Sequence, residues 1–147
     1  MTHIVVLGAG IGGIPMAYEM KEQMKKGEEI TVISNTDTFQ FVPSNPWVAV
    51  NWRSKNDICV DMPKIFKKKG INFTSVGAKK VHPDKNQVEL NDGTSVDYDF
   101  LVIATGPELA FDEVPGLGPD GHTHSVCHVD HAVAAGQAYE KFLENPG

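Results

Sequence analysis

Apolar positions fall into short runs that predict strands alternating with helices. Residues 4–7 and 30–33 are branched apolar runs typical of buried strands, and residues 17–26 between them are rich in helix formers. Gly27 follows as a helix stop. The spacing suits a right-handed crossover between parallel strands, so the first 34 residues predict a βαβ unit.

The next part of the chain loses this regular pattern. Residues 36–58 contain prolines and tryptophans without a sustained period, and they predict a long ordered loop with one short helix. Residues 62–69 predict a basic amphipathic helix, and residues 71–76 predict a third strand.

Short apolar stretches between residues 78 and 98 predict an antiparallel β-meander with a hairpin turn at Asn91-Asp92-Gly93. Residues 100–104 form a continuous apolar run, expected of a central parallel strand covered on both faces. Residues 129–143 predict a helix. The expected fold class is α/β, a Rossmann-like parallel sheet with flanking helices and an inserted antiparallel β-meander.

Size and charge narrow the function classes. A chain of 147 residues is within the range of one domain and too short for most two-domain enzymes. Its net charge of −6 disfavours nucleic acid as a partner. With only Cys59 and Cys127, neither a disulfide framework nor a four-cysteine zinc site is predicted, and a reducing compartment is the default. No apolar run is long enough to span a bilayer, so a soluble chain is expected.

A glycine turn follows the first strand directly and precedes the first helix. Gly8-Ala9-Gly10-Ile11-Gly12-Gly13 matches G-x-G-x-x-G, the dinucleotide-binding pattern. Gly8 permits the tight turn, Gly10 lets the backbone approach a pyrophosphate, and Gly13 allows close packing of helix on strand. The alternative is a glycine-rich turn without a ligand.

The second strand ends in Ser34-Asn35, where a typical NAD-binding unit has an acidic residue for the ribose. Both side chains can bind ribose hydroxyls, but neither is a carboxylate, so a pure NAD site is disfavoured. Asp37 is an alternative acidic residue, although a turn or helix cap is its more common role.

A second motif closes the strand at residues 100–104. Asp99 precedes that strand and Ala104-Thr105-Gly106 ends it. This pattern resembles the second fingerprint of the flavoprotein disulfide reductase superfamily, in which the backbone at this point passes close to FAD. The resemblance therefore implies FAD at the Gly8 turn.

Residues 39–48 and 125–131, together with Ser34-Asn35 and Ala104-Thr105-Gly106-Pro107, closely resemble the bacterial sulfide:quinone oxidoreductase family. The resemblance implies a flavoenzyme that oxidises sulfide to polysulfide or sulfur and reduces a membrane quinone through FAD. It also implies the FAD contacts. They are Gly8, Ala9, Gly10, Ile11 and Gly12 with Gly13 at the pyrophosphate, Ser34 and Asn35 at the ribose, Gly77 at the adenine, and Pro43, Ala104, Thr105 and Gly106 at the flavin.

Cys127 matches a cysteine found near the flavin in that family, which makes it the candidate catalytic residue. The alternative is a small buried hydrophobe, the usual role of a free cysteine. Cys59 is expected to lie on a loop and to be a packing residue. His128 or His131 could lower the pKa of the Cys127 thiol or transfer protons, with solvated polar residues as the alternative. The spacing of residues 122–131 fits no zinc pattern, and Asp130 is expected to cap the helix that follows, so no metal is predicted.

The resemblance implies that residues 1–147 are the N-terminal FAD-binding portion of a longer flavoprotein, called the parent protein below. The principal redox cysteines, the quinone pocket and a membrane-attaching C-terminus are expected beyond residue 147, so the parent is expected to be a peripheral membrane protein and this chain alone inactive. The alternatives are a type II NADH:quinone dehydrogenase, a flavocytochrome c sulfide dehydrogenase-like flavoprotein, and a non-catalytic nucleotide-binding fragment closed by homo-oligomerisation. The lysines at 64, 67, 68 and 69 are expected to be a solvated helix face, with anionic lipid as the alternative.

Overall fold

Strands and helices alternate along residues 2–146, which the computed structural model describes. The strands of this part of the chain are β1 (His3–Leu7), β2 (Glu29–Ile33), β3 (Thr38–Gln40), β4 (Cys59–Asp61), β5 (Asn72–Thr74), β6 (Ala78–His82), β7 (Gln87–Leu90), β8 (Ser95–Asp97) and β9 (Phe100–Ile103). Its helices are α1 (Gly13–Gln23), α2 (Asn45–Ala49), α3 (Lys55–Ile58), α4 (Met62–Lys69) and α5 (Val129–Glu144).

The chain forms two compact units. The first takes in the described residues up to Phe39 together with Asp61–Pro107, and the second takes in Gln40–Val60 together with the described residues from Glu108 on. In this part of the chain, no helix has the length and apolar character needed to cross a membrane.

The first unit contains the predicted parallel sheet, with strand order β5-β2-β1-β9. Strand β1 pairs in parallel with β2 from His3↔Glu29 to Leu7↔Ile33, and with β9 from Ile4↔Phe100 to Leu7↔Ile103. The βαβ prediction for the first 34 residues is therefore confirmed. Helix α1 ends at Gln23 rather than at residue 26, because Met24 leaves the helix with an extended backbone.

Helices cover one face of this sheet and the meander covers the other. Val6, Ile30 and Val32 belong to one buried cluster with Met62 and Phe66 of α4. On the opposite face, side chains of β1, β2 and β7 form a second buried cluster, whose members are Val5, Leu7, Ile33, Val88 and Leu90. Successive β1 side chains point to opposite faces, and both faces are buried along residues 4–7, so apolar and polar residues do not alternate there.

The predicted antiparallel meander is present as the three-stranded sheet β6-β7-β8. Asn91-Asp92-Gly93 forms the turn between β7 and β8, and Gly93 has a φ of 85°. Turn chemistry and alternating burial along β7 thus agree with the sequence pattern.

One expectation about the sheet is wrong. Strand β9 is not a central strand covered on both faces: it pairs with β1, and no strand within residues 2–146 lies on its other side. Its two faces are also partly open, since Phe100 and Ile103 are 62% and 66% exposed. The apolar run of residues 100–104 is typical of a buried strand. It does not show how many strands lie beside β9, because that number depends on the order of all strands in the sheet.

The second unit differs from the prediction in two details. Residues 36–58 contain two short helices, α2 and α3, where one was expected. Gly136 of α5 lies against this segment, since a Cβ at Gly136 would stand 2.8 Å from Asn51 Oδ1 and 3.3 Å from the Val48 carbonyl oxygen. The close approach buries Val48 and Ala132 in one apolar cluster.

Phe66 offers a direct test of the helix-covered face of the sheet. Its side chain is fully buried, stacks on Phe73 with ring centroids 5.1 Å apart, and meets Tyr18 edge to face at 6.2 Å. Replacement of Phe66 by Ala removes these contacts and leaves a cavity, so we expect a loss of about 3–5 kcal/mol of unfolding free energy. Trp52→Ala is the matched control, because Trp52 is 78% exposed and its loss should cost about 0.5 kcal/mol or less. Urea denaturation measures both, and similar costs for the two variants would contradict this packing.

Candidate functional site

The Gly8 turn joins β1 to α1 through close contacts between backbone atoms. Gly8 has a φ of 98°, and its N–H donates to the Ile33 carbonyl at 2.8 Å. A Cβ at Gly13 would lie 1.8 Å from the Gly8 carbonyl oxygen, far inside any allowed contact. The turn therefore requires glycine at Gly8 for its φ and at Gly13 for the approach of the helix.

Gly10 faces open space. A Cβ at Gly10 would meet no atom within 4 Å, and at Gly12 the nearest atom would be the Ala104 Cβ at 3.9 Å. Gly10, Ile11 and Gly12 are exposed, and Gly12 caps α1 without a side-chain acceptor for its first N–H groups. Open space beside backbone N–H groups at a helix start fits a pyrophosphate, so the residues present fit a dinucleotide at this turn.

The Ala104-Thr105-Gly106 motif lies directly beside the glycine turn. The Ala104 N–H donates to the Leu7 carbonyl at 2.7 Å, and a Cβ at Gly8 would stand 2.3 Å from the Ala104 carbonyl oxygen. The two motifs that are 91 positions or more apart in sequence, Gly8-Gly13 and Ala104-Gly106, are thus in backbone contact. Thr105 and Gly106 continue into exposed positions, and a Cβ at Gly106 would meet no atom within 4 Å.

Ser34, Asn35 and Gly77 lie at the same sheet edge, after β2 and β5. The Ser34 hydroxyl is buried and accepts a hydrogen bond from the Thr36 N–H at 3.3 Å, whereas Asn35 is exposed. Gly77 has a φ of 81°, and a Cβ there would stand 3.4 Å from the Asn35 Cβ. Of the two predicted ribose residues, Asn35 is the one that presents its side chain to solvent.

All these positions follow the carboxyl ends of parallel strands, the edge at which open α/β sheets bind ligands. Asp99, the acidic residue before β9, lies at the other end of that strand: its carboxylate accepts the His3 N–H at 2.7 Å. The Asp99 side chain thus ties the start of β1 to the start of β9.

Pro43 belongs to the second unit, in a single helical turn formed by Val42–Ser44. Pro43 is exposed, but Asn45 two positions later is fully buried, and its side-chain amide has no hydrogen-bond partner within residues 2–146. Nothing in the sequence marks Asn45 as unusual, because its burial follows only from the packing around α2.

The two cysteines have different surroundings. Cys127 is exposed, so it is not the buried hydrophobe that was the alternative to a chemical role, and its N–H donates to the Ser125 hydroxyl at 3.2 Å. Cys59 begins β4 and packs against the Val48 cluster, and burial raises the pKa of its thiol. The packing role predicted for Cys59 agrees with this position, although Cys59 lies in a strand and not in a loop.

Helix α5 begins immediately after Cys127. Its N-cap is His128, whose Nδ1 accepts the Asp130 N–H at 3.2 Å, so the expectation that Asp130 caps the helix is wrong. The Asp130 carboxylate instead binds the Lys55 ammonium, which lowers the pKa of Asp130 and raises that of Lys55. His128 and Asp130 can both accept a hydrogen bond at the start of α5. The sequence alone does not show which of them caps the helix, because it does not show that Asp130 binds Lys55.

The imidazoles near Cys127 contact one another. The rings of His128 and His131 lie 5.4 Å apart, and the His131 ring also meets Phe111 at 6.3 Å. The His131 Nδ1 is buried and has no hydrogen-bond partner among residues 2–146. Within the described residues, no three His, Cys, Asp or Glu side chains converge in a way that could hold a metal.

Comparison with known proteins agrees with this geometry. The pyridine nucleotide-disulphide oxidoreductase family matches residues 2–142. The sulfide-quinone reductase of Aquifex aeolicus is 37% identical over 145 residues, which cover 99% of this chain and 33% of that protein. The solved structure of the Aquifex aeolicus sulfide:quinone oxidoreductase superposes on all of this chain and 33% of its own, with a TM-score of 0.93 at 36% identity.

A more distant relative is a mitochondrial external alternative NAD(P)H-ubiquinone oxidoreductase of Solanum tuberosum, 27% identical over 88% of this chain and 24% of that protein. The chain thus spans about a third or less of the length of these relatives. The sequence-based resemblance to sulfide:quinone oxidoreductases and the Rossmann-like α/β fold class are both confirmed.

Two glycine substitutions separate folding from ligand binding at the Gly8 turn. Alanine normally stabilises a helix by about 1 kcal/mol over glycine, but at Gly13 the added Cβ meets the Gly8 carbonyl oxygen, so Gly13→Ala should lower the melting temperature. Gly10→Ala should leave the melting temperature of the ligand-free chain unchanged, since its Cβ enters open space, and should weaken ADP binding about tenfold or more. Thermal unfolding and ADP titration measure the two effects. A Gly13→Ala chain as stable as the wild type would contradict the contact described.

Proposed function

Because the chain belongs to the pyridine nucleotide-disulphide oxidoreductase family, we propose that it is the FAD-binding portion of a sulfide:quinone oxidoreductase. The parent protein would oxidise sulfide to polysulfide or sulfur and reduce a membrane quinone. Family membership and relatives support the coarser assignment, an oxidoreductase with a flavin cofactor. The choice of FAD and of sulfide is our proposal.

The observation that carries the proposal is the contact between the Gly8 turn and Ala104. A pyrophosphate over Gly10 lies beside the end of β9, where Thr105 and Gly106 are exposed, so one extended ligand can contact both motifs. The absence of a carboxylate at Ser34-Asn35 supports FAD over NAD at this turn, since a typical NAD site binds the ribose through an acidic residue.

In this proposal each residue has a simple task. The backbone N–H groups of Gly10, Ile11 and Gly12 bind the pyrophosphate, and the exposed Asn35 amide binds the ribose hydroxyls. Thr105 and Gly106, which are exposed, are proposed to line the flavin end of the ligand through their backbones, and Gly77 is proposed to lie beside the adenine. Pro43 stays a candidate flavin contact on the family resemblance alone. FAD supplies the acceptor for two electrons when bound.

Cys127 is proposed as the sulfur-handling residue of this chain. Its support is exposure, because a thiol must be accessible and deprotonated to react with a sulfur compound. His128 follows it directly and His131 stands four positions further along the chain, and both are proposed to exchange protons with it. The other redox cysteines, the quinone pocket and the peripheral membrane attachment are proposed to lie in the rest of the parent.

A second candidate is an NAD(P)H:quinone oxidoreductase, which the relative from Solanum tuberosum favours. The two functions differ in their electron donor, sulfide or NAD(P)H. They also differ in their need for a thiol at position 127, because hydride transfer from a nicotinamide requires no sulfur nucleophile.

The purified chain, reconstituted with FAD and passed over a desalting column, tests the cofactor. We expect it to retain the visible absorption of oxidised flavin and to bind ADP in competition with FAD. We also expect no sulfide-dependent reduction of a soluble quinone by the chain alone, since the proposal places the remaining redox groups elsewhere. A colourless protein with no ADP affinity would refute the FAD assignment, and turnover by the chain alone would refute its dependence on the rest of the parent.

Cys127→Ser in the parent protein tests the substrate, with Cys59→Ser as the matched control. We expect Cys127→Ser to reduce sulfide:quinone activity about tenfold or more. The Ser hydroxyl has no sulfur and stays protonated at neutral pH, so it cannot replace a Cys thiolate. Cys59→Ser should retain activity, since Cys59 packs in a partly buried position. Quinone reduction with NADH but not sulfide as donor, unaffected by Cys127→Ser, would favour the second candidate.

A further inference from the structure

The hairpin turn between β7 and β8 is tied to a second turn, the one that follows β5. The Asn91 side-chain amide donates to the Val76 carbonyl at 3.0 Å, and the Asn91 backbone N–H donates to the Gly77 carbonyl at 3.1 Å. One residue of the meander thus binds two consecutive carbonyls of a loop at the ligand-binding edge of the parallel sheet.

Gly77 lies between Asn91 and Asn35. A Cβ at Gly77 would stand 2.6 Å from Asn91 Nδ2 and 3.4 Å from the Asn35 Cβ. Gly77 is buried and has a φ of 81°, a conformation that favours glycine. The Asn91 amide and Asn35 therefore both lie against Gly77.

The position of Asn35 shows which part of a bound dinucleotide would lie near Gly77. Asn35 follows β2, and the residue at the end of the second strand of a βαβ unit binds the adenosine ribose. Strand β5 neighbours β2 on the side away from β1, so the turn at Val76-Gly77 lies beyond the ribose position, at the adenosine end. This step rests on the nucleotide site of the proposed function.

The turn continues directly into β6, where Ala78 pairs with Leu90 of β7, and the backbone bond between Asn91 and Gly77 extends that pairing. The Val76 side chain is 37% exposed, and the other hydrogen bond of Val76 given by the described residues is from its own N–H to the Thr74 hydroxyl at 3.3 Å. The Asn91 side-chain amide therefore supplies a restraint on the Val76 carbonyl that the strand pairing does not provide.

Asp92, the next residue, makes contacts of a different kind. Its carboxylate accepts hydrogen bonds from the Thr94 N–H at 2.9 Å and from the Thr94 hydroxyl at 2.7 Å, which lower the pKa of Asp92. Asp92 therefore stabilises the hairpin itself, whereas Asn91 reaches out of the hairpin to the turn after β5.

We propose that Asn91 is a positioning residue for the adenosine end of the bound nucleotide. It holds the Val76-Gly77 turn against Asn35 and so shapes the surface on which the adenosine rests. It does not touch the redox part of the cofactor. The antiparallel insertion would then have two tasks, covering one face of the parallel sheet and positioning a loop of the nucleotide site.

The test compares Asn91→Ala with Asp92→Ala in this chain, using ADP as the probe of the adenosine half. We expect Asn91→Ala to weaken ADP and FAD about three- to tenfold, the effect of a lost hydrogen bond and a displaced loop. The visible spectrum of the bound flavin should stay unchanged. Asp92→Ala should lower the melting temperature of the chain but leave the affinity for ADP within about twofold.

Asn91→Asp keeps the shape of the side chain but cannot donate to the Val76 carbonyl, so it should lose ADP affinity as Asn91→Ala does. Equal ADP affinity in the wild type and both Asn91 variants would overturn the positioning role and leave the proposed function intact. Losses that match those of Asp92→Ala would assign Asn91 to hairpin stability alone. A wild-type chain that binds neither ADP nor FAD would overturn the proposed function and this inference together.

Discussion

The arrangement of the first unit depends on a backbone contact that admits no side chain. The Gly8 carbonyl lies where a Cβ of Gly13 would stand, and the Ala104 carbonyl lies where a Cβ of Gly8 would stand. Strand β1, helix α1 and the end of β9 therefore meet at one point, and each approach is closer than any residue other than glycine permits. The opening over Gly10 exists because this contact holds the three elements around it.

The rest of the sheet supports that contact from both faces. Val6 packs on the helix side and Val5 on the meander side, so apolar burial on both faces adds to the strand pairing that β1 makes along both edges. The meander extends this arrangement through Asn91, whose amide reaches the turn at Gly77. Burial thus fixes the strands, while a few polar contacts set the loops that follow them.

The second unit also contains a close approach that only glycine permits, here at helix α5. Gly136 lets α5 approach the segment after α2 so closely that Asn51 Oδ1 would be 2.8 Å from an added Cβ. Val129 at the start of α5 donates its N–H to the Gln40 side chain at 2.8 Å, which fixes the first turn of the helix just after Cys127. The exposed Cys127 thiol therefore lies two positions before a residue that is fixed by this hydrogen bond. Cys59, in contrast, packs among apolar side chains.

Local chemistry was enough to predict much of this protein. The branched runs at β1 and β2, the glycine turn, the meander and its Asn91-Asp92-Gly93 hairpin all follow from side-chain periodicity and from residues that tolerate positive φ. The candidate nucleotide residues of the first unit could also be named from the sequence, since each follows a predicted strand and the carboxyl ends of parallel strands share one edge.

The sequence by itself therefore determined the type of each main element, the order of these elements and the place of the glycine turn. Only the tertiary structure decided that β9 has one neighbouring strand within residues 2–146, that His128 rather than Asp130 caps α5, that the buried Asn45 amide has no hydrogen-bond partner among those residues, and that Asn91 binds the turn at Gly77. Each of these depends on atoms distant in sequence: the strands that pair beside β9, the Lys55 ammonium, the packing around α2, and a carbonyl fifteen positions away. Periodicity and turn chemistry describe a residue and its near neighbours, so contacts of this kind become visible only when the chain is folded.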